Sequence, residues 1–350
     1  MIYPWQTDEW GRLQALRDAW PHALLLHGQA GIGKLHFAQH VAQGLLCEAP
    51  QADGQPCGQC AACRWFVQGN HPDYRIVLPE ALAAEAGFVA AAGGDEKADK
   101  AAEKADADDG KKTRAPSKEI RIEQVRALLD FCGVGSHRGG VRVVVLYPAE
   151  ALNVAAANAL LKTLEEPPAG VVFLVVSARI DRLLPTIISR CRQWPMPTPA
   201  PDAAAAWLAA QGTGDARALL AEAGGAPLAA LALARDENRA LRDWTLQQLG
   251  AGRDCDPFAC GETLQKLPVP LVLGWLQRWL YDLLAQRSAG TPRYFPDASA
   301  ALARCAAQTD AAAFARFMKT VTRQRAVENH PLNARLVFEE LFFGYRDLFA

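Results

Sequence analysis

The sequence predicts an α/β protein: a P-loop parallel sheet flanked by helices, with an inserted cysteine module, followed by an all-α C-terminal part. Three observations predict it. A glycine-rich loop, Gly28-Gln29-Ala30-Gly31-Ile32-Gly33-Lys34, follows the short apolar run 23–27 and precedes a helical stretch from about Lys34 to Leu46. Two continuous β-branched runs, 141–147 and 171–177, suit strands buried on both faces of a parallel sheet. Beyond the proline-rich stretch 195–201 the chain turns alanine-rich, with Leu271, Trp275, Trp279 and Leu283 at the spacing of a helix–helix core.

The remaining elements follow in order. Residues 74–78 form another short strand candidate. Residues 152–166 read as a helix, with Leu152, Ala156, Ala159, Leu160 and Thr163 on one face, stopped by Pro167-Pro168, which cannot continue the hydrogen-bond ladder. Residues 91–118 hold seven basic and seven acidic side chains and no Val, Ile, Leu, Met or aromatic residue. Such a segment has nothing to bury against its ordering entropy, so a flexible, low-complexity insertion is expected over about 81–118. Gly224-Gly225-Ala226-Pro227 breaks one helix and starts another.

With 350 residues, two or three domains fit. A formal net charge of -1 argues against strong autonomous DNA binding. The N-terminus lacks a basic stretch followed by an apolar one, and no apolar run approaches the ~20 residues that span a bilayer. A cytoplasmic protein with no membrane partner is expected.

Four motifs carry chemistry. In the glycine loop, Gly28 and Gly33 let backbone N–H groups turn toward phosphate oxygens, and Lys34 reaches the terminal phosphates. The next residue is Leu35, where Ser or Thr would hold Mg²⁺. Strand 141–146 runs into Tyr147-Pro148-Ala149-Glu150, so the two positions after it lack the carboxylates that a P-loop ATPase needs. Glu150 reads as a helix-start carboxylate. Both departures remove Mg²⁺ chemistry. Cys47, Cys57, Cys60 and Cys63 have the spacing of a closed tetrahedral Zn²⁺ shell, which is structural because no position is left for water. The other five cysteines are scattered and read as ordinary core or surface residues. Ser189-Arg190-Cys191 puts an arginine that alone is a solvated charge; in an oligomeric nucleotide machine it could reach across an interface.

Together these pieces resemble the bacterial clamp-loader branch of the AAA+ ATPases. The matching stretches are residues 21–28 into the P-loop, the four-cysteine module, His71-Pro72-Asp73, residues 120–126, residues 155–168 (AAANALLKTLEEPP) and residues 184–191 (LPTIISRC). The likeness covers about residues 1–235.

The resemblance implies an AAA+ domain over 1–198 with the zinc module at 47–63, a small helical lid over 199–240 and a helical collar over 241–350. It implies a pentameric ring with gamma/tau motor subunits and a delta subunit. That ring uses ATP to open the sliding clamp (beta) and place it on primer-template DNA, within a DNA-directed DNA polymerase holoenzyme. The departures at Leu35, Tyr147 and Pro148, and Leu228 where a second sensor would place an arginine, fit a non-hydrolysing stator with no independent catalysis. By motif position, Arg190 is then the finger offered in trans, with Ser189 and Cys191 beside it. An ATP-hydrolysing gamma/tau-type motor is the alternative, and a zinc-dependent nucleic-acid module a third reading. Against the third, the cysteine cluster lacks interleaved basic and aromatic residues, although Arg64-Trp65-Phe66 follows it. Whether Gly28, Gly33 and Lys34 still hold a nucleotide is left open by the residues alone.

Overall fold

In the computed structural model, which describes residues 2–85, 116–137, 140–327 and 333–349, five strands form one sheet. They are β1 (Ala23–His27), β2 (Tyr74–Val77), β3 (Arg142–Leu146), β4 (Val171–Ser177) and β5 (Arg192–Pro195). Every pairing is parallel, in the order β2-β3-β4-β1-β5. Ala23 lies opposite Phe173, Leu24 opposite Arg192, Tyr74 opposite Val143 and Arg142 opposite Val171. β3 and β4 are buried along their whole length, as continuous β-branched runs between two helix layers should be.

One face of the sheet packs on the helices Ile122–Gly133 and Val154–Glu165. Leu25, Val144 and Phe173 meet Val125, Leu128, Leu160 and Leu164 in one apolar cluster. Each such side chain contributes about 1.5–3 kcal/mol when removed from water. The second helix starts two residues later than its apolar pattern predicts. Asn153 caps it, accepting the N–H of Ala156 at 2.8 Å. Leu152 instead bridges to Ile120. Leu164, rather than Thr163, completes its buried stripe.

β5 was not expected from the sequence. Only Trp194 of its four residues is buried, as on a sheet edge, where a proline is tolerated. The indole N–H of Trp194 donates to the buried carboxylate of Glu9 at 2.9 Å. This ties the helix Thr7–Gln14 to the last strand. Asp73, of the His71-Pro72-Asp73 stretch, also proves architectural. It is buried, pairs with Arg142 at 3.4 Å and accepts the His137 N–H at 2.9 Å.

Of the expected flexible insertion, residues 86–115 lie outside the described residues. Its flanks differ from the expectation. Glu80–Glu85 is helical. The carbonyl of Ser117 accepts the Ala81 N–H at 3.0 Å, and the Ser117 N–H donates to Glu80 at 2.8 Å. Backbone and capping bonds close the base of the segment, which its composition could not reveal.

The chain divides into two compact units, residues 1–198 and 199–350. The second unit is helical throughout its described elements. A small cluster joins Ala204, Leu208, Leu219, Leu220, Ala223 and Ala230. A larger one surrounds Trp275, Trp279, Phe338, Phe342 and Tyr345. Its polar atoms are satisfied internally: Trp279 donates to the Tyr345 hydroxyl at 2.8 Å, which donates to the Leu249 carbonyl at 2.5 Å. The fully buried Asp282 accepts the N–H groups of Arg293, Tyr294 and Phe295 at 2.7, 2.8 and 2.6 Å. Among the described residues no single helix is long and apolar enough to cross a membrane.

Candidate functional site

The glycine loop joins β1 to the helix Lys34–Leu46, with Gly33 in the left-handed region at φ 88°. A side chain at Gly28 would collide with the Met196 carbonyl, and one at Gly33 with the Tyr3 ring. Lys34 is only 4% exposed and turns back onto its own loop. Its ammonium donates to the carbonyls of Gly28 at 2.8 Å and Gln29 at 2.6 Å. Burial pulls its pKa down to about 8, with the Glu150 carboxylate opposing the shift.

The N-terminal segment lies across this loop. Gln6 donates to the carbonyls of Ile32 and Gly33 at 3.2 and 3.0 Å, and the Trp5 indole donates to Ile32 at 3.0 Å. Tyr3 stacks on Trp5 with ring centroids 4.8 Å apart and tilts against His36 at 4.9 Å. Sequence reasoning missed Tyr3, Trp5 and Gln6. The only signal was two aromatics flanking Pro4 at the chain start, which no loop motif anticipates.

The position after Lys34 carries no hydroxyl, and the two positions after β3 carry no carboxylate. Leu35 is half-buried, and Tyr147 is half-buried with its N–H bonded to Val77 at 3.1 Å. Burial raises the Tyr147 phenol pKa above its ordinary value. Glu150 accepts the Ala178 N–H at 3.0 Å, so one of its oxygens serves the turn after β4.

Arg190 sits between the short helix Pro185–Ile188 and β5. Its guanidinium pairs with Glu165, donates to the Thr186 carbonyl at 2.8 Å and lies 3.4 Å from the Ser189 hydroxyl. The Arg190 side chain is 28% exposed. Ser189 donates to Thr186 at 3.1 Å. Cys191 is buried, and burial pushes its thiol up to about 12. Cys191 is thus a packed thiol that anchors the arginine's backbone. Glu165 had entered only as part of a motif string, and its contact with Arg190 spans 25 residues.

The four clustered cysteines come together. Their sulfur atoms all lie within 4.8 Å of one another, with Cys47 and Cys60 at 3.9 Å. A tetrahedral ion with 2.3 Å bonds sets its sulfurs about 3.8 Å apart, so the set could hold a metal. Backbone N–H groups already face the sulfurs. Cys57 donates to Cys47 and Cys60 to Cys57, both at 3.3 Å; Gln59 donates to Cys57 and Cys63 to Cys60, both at 3.4 Å. The bonds from Gln59 and Cys60 pull the Cys57 thiol down to about 6, whereas burial raises Cys63. Oriented donors of this kind hold thiolate ligands in place.

A parallel sheet with a glycine loop between β1 and the following helix, an arginine between the last helix and β5, and a four-cysteine cluster define an α/β protein of the P-loop class. Residues 11–200 match the family model described as DNA polymerase III, delta subunit. The chain is 39% identical over 291 residues to DNA polymerase III subunit delta' of Pseudomonas aeruginosa, covering 81% of this chain and 77% of that protein. It is 32% identical over 288 residues to subunit delta' of Escherichia coli, covering 81% and 76%. A third relative, subunit tau of Escherichia coli, is 32% identical over 173 residues, 49% of this chain and 21% of tau. The chain belongs to the delta-prime family of DNA polymerase III subunits.

Proposed function

We propose that this chain is the non-hydrolysing stator of a clamp loader, supplying Arg190 in trans to the ATP site of a neighbouring gamma/tau motor. With a delta subunit it helps to open the sliding clamp (beta) and load it on primer-template DNA in the cytoplasm. Residues 199–240 act as the lid and 241–350 as the oligomerisation collar. Cys47, Cys57, Cys60 and Cys63 hold a structural zinc, which fixes the loop between two helices and takes no part in chemistry. Purified protein should carry about one zinc per chain.

The observation that carries the reading is the state of the glycine loop. Lys34 is committed to the Gly28 and Gln29 carbonyls, beneath Tyr3, Trp5 and Gln6. A phosphate would need that lysine released from the Gly28 and Gln29 carbonyls. Leu35 brings no hydroxyl, and Tyr147 and Pro148 no carboxylate, for Mg²⁺. Arg190, by contrast, is a planar cation at the surface, suited to phosphate oxygens. A finger in trans is worth about 10³–10⁵ in rate at the site it serves.

The test is steady-state phosphate release. The isolated chain at saturating MgATP should show no turnover near the ~1 s⁻¹ of ordinary enzymes. In a complex reconstituted with gamma/tau and delta, Arg190→Ala should lower ATP turnover in part and clamp loading more strongly, with assembly verified. Arg190→Lys should not fully rescue. Turnover by the isolated chain that Lys34→Ala abolishes would establish the motor reading instead.

A further inference from the structure

We infer that Glu165 is a positioning residue that holds Arg190 folded back until a phosphate displaces it; this rests on the trans role proposed for Arg190. Glu165 is the last residue of the helix Val154–Glu165. The carbonyl end of a helix carries partial negative charge, so a carboxylate there is poorly placed without a cation. Arg190 pairs with it, beside Lys162 in the last turn of the same helix. The following Glu166-Pro167-Pro168 ends the helix and fixes where the carboxylate stands.

The geometry around Arg190 is that of a stored group. Nη1 donates to the Thr186 carbonyl, four residues back on its own turn, and Nη2 bonds Glu165. Nε is buried without a hydrogen-bond partner among the described residues. A guanidinium has five N–H donors in a fixed fork, and this position leaves one of them unsatisfied away from water. A terminal phosphate carries more charge than one carboxylate and accepts two parallel bonds from the fork. The Glu165 side chain is 48% exposed, so the pair is screened and exchangeable. Exchange of carboxylate for phosphate would release Arg190 only when a nucleotide is presented by the neighbour, leaving its charge covered otherwise.

The experiment is a double-mutant cycle in the reconstituted complex, reading kcat/KM for ATP with Glu165→Gln, Arg190→Ala and both. Glutamine keeps an acceptor at the helix end and removes the charge. Glu165→Gln should raise kcat/KM about two- to fivefold, the range of an exposed ion pair. In the Arg190→Ala background it should change nothing. A kcat/KM that is unchanged or lowered by Glu165→Gln, while Arg190→Ala is impaired, overturns the latch and leaves the trans role of Arg190 standing. A rise that persists without Arg190 also overturns it, since Glu165 would then act elsewhere. Wild-type values for Arg190→Ala in an intact complex remove the underlying reading itself. A merely structural Glu165 would move the unfolding midpoint of the isolated chain and not this ratio.

Discussion

Two basic residues of the same unit have opposite fates. Lys34 stands where a P-loop lysine meets phosphate, yet it is buried and bonded to its own loop. Arg190 stands after a four-residue helix, partly exposed, with a weak carboxylate partner. The difference teaches how one fold can turn one motif cation onto its own backbone and leave another near the surface. The loop's glycines and lysine remain useful because they satisfy each other and seat the N-terminal segment. The arginine stays partly exposed, paired with a carboxylate that water also reaches.

The comparison breaks most visibly in the complex. Lys34→Ala should leave ATP turnover at the wild-type level, while Arg190→Ala reduces it; equal losses in phosphate-release assays would mean that both cations serve nucleotide. In the isolated chain the order reverses. Lys34→Ala removes two hydrogen bonds from a buried loop and should cost about 1–3 kcal/mol in urea unfolding, against less than about 1 kcal/mol for Arg190→Ala.

A smaller effect tests how well packed the Lys34 side is. His40 is buried on the helix after the loop, with its ring centroid 4.8 Å from that of Trp10. Burial lowers its pKa from 6.5 to about 4. Below pH 6.5 the unfolded chain takes up a proton that the folded chain refuses, so stability falls as pH drops from 6.5 toward 4. The loss should be about 1 kcal/mol once partial solvent access is allowed for, and His40→Gln should flatten it in chemical denaturation across that window. The smallest effect belongs to the insertion. Replacing residues 91–114 by a short Gly/Ser linker, with Ser117 and Glu80 kept, should shift the thermal midpoint by less than about 2 °C. A larger drop would mean that the segment packs.

The sheet's centre was legible because its physics is local. β4 follows its β-branched run and β1 its apolar run from end to end, and β3 lies within its β-branched run. The glycine loop and the cysteine spacing were legible for the same reason, since each motif is set within about 20 residues. β5 was not, because an edge strand with one buried side chain has no apolar run to find. Nor were Glu9 and Trp194, Arg190 and Glu165, or the N-terminal cover of the loop. Those pairings span 185, 25 and 26 to 27 residues, and they depend on where the fold brings distant segments together. The residue types at 35, 147 and 148 could be read directly; the turn of Lys34 onto its own loop could not.

The strand order has a consequence for how the protein is made. β1 lies between β4 and β5, so Ala23 waits for Phe173, about 150 residues later, before it can pair. At ribosomal speeds of about 5–20 residues per second, that is roughly 8–30 seconds in which the most apolar early segment has no sheet to join. The four clustered cysteines need no such wait, because the last of them is Cys63. A nascent chain could therefore gather these four sulfurs well before its sheet, and the glycine loop would acquire its final surroundings only once Met196 had left the ribosome.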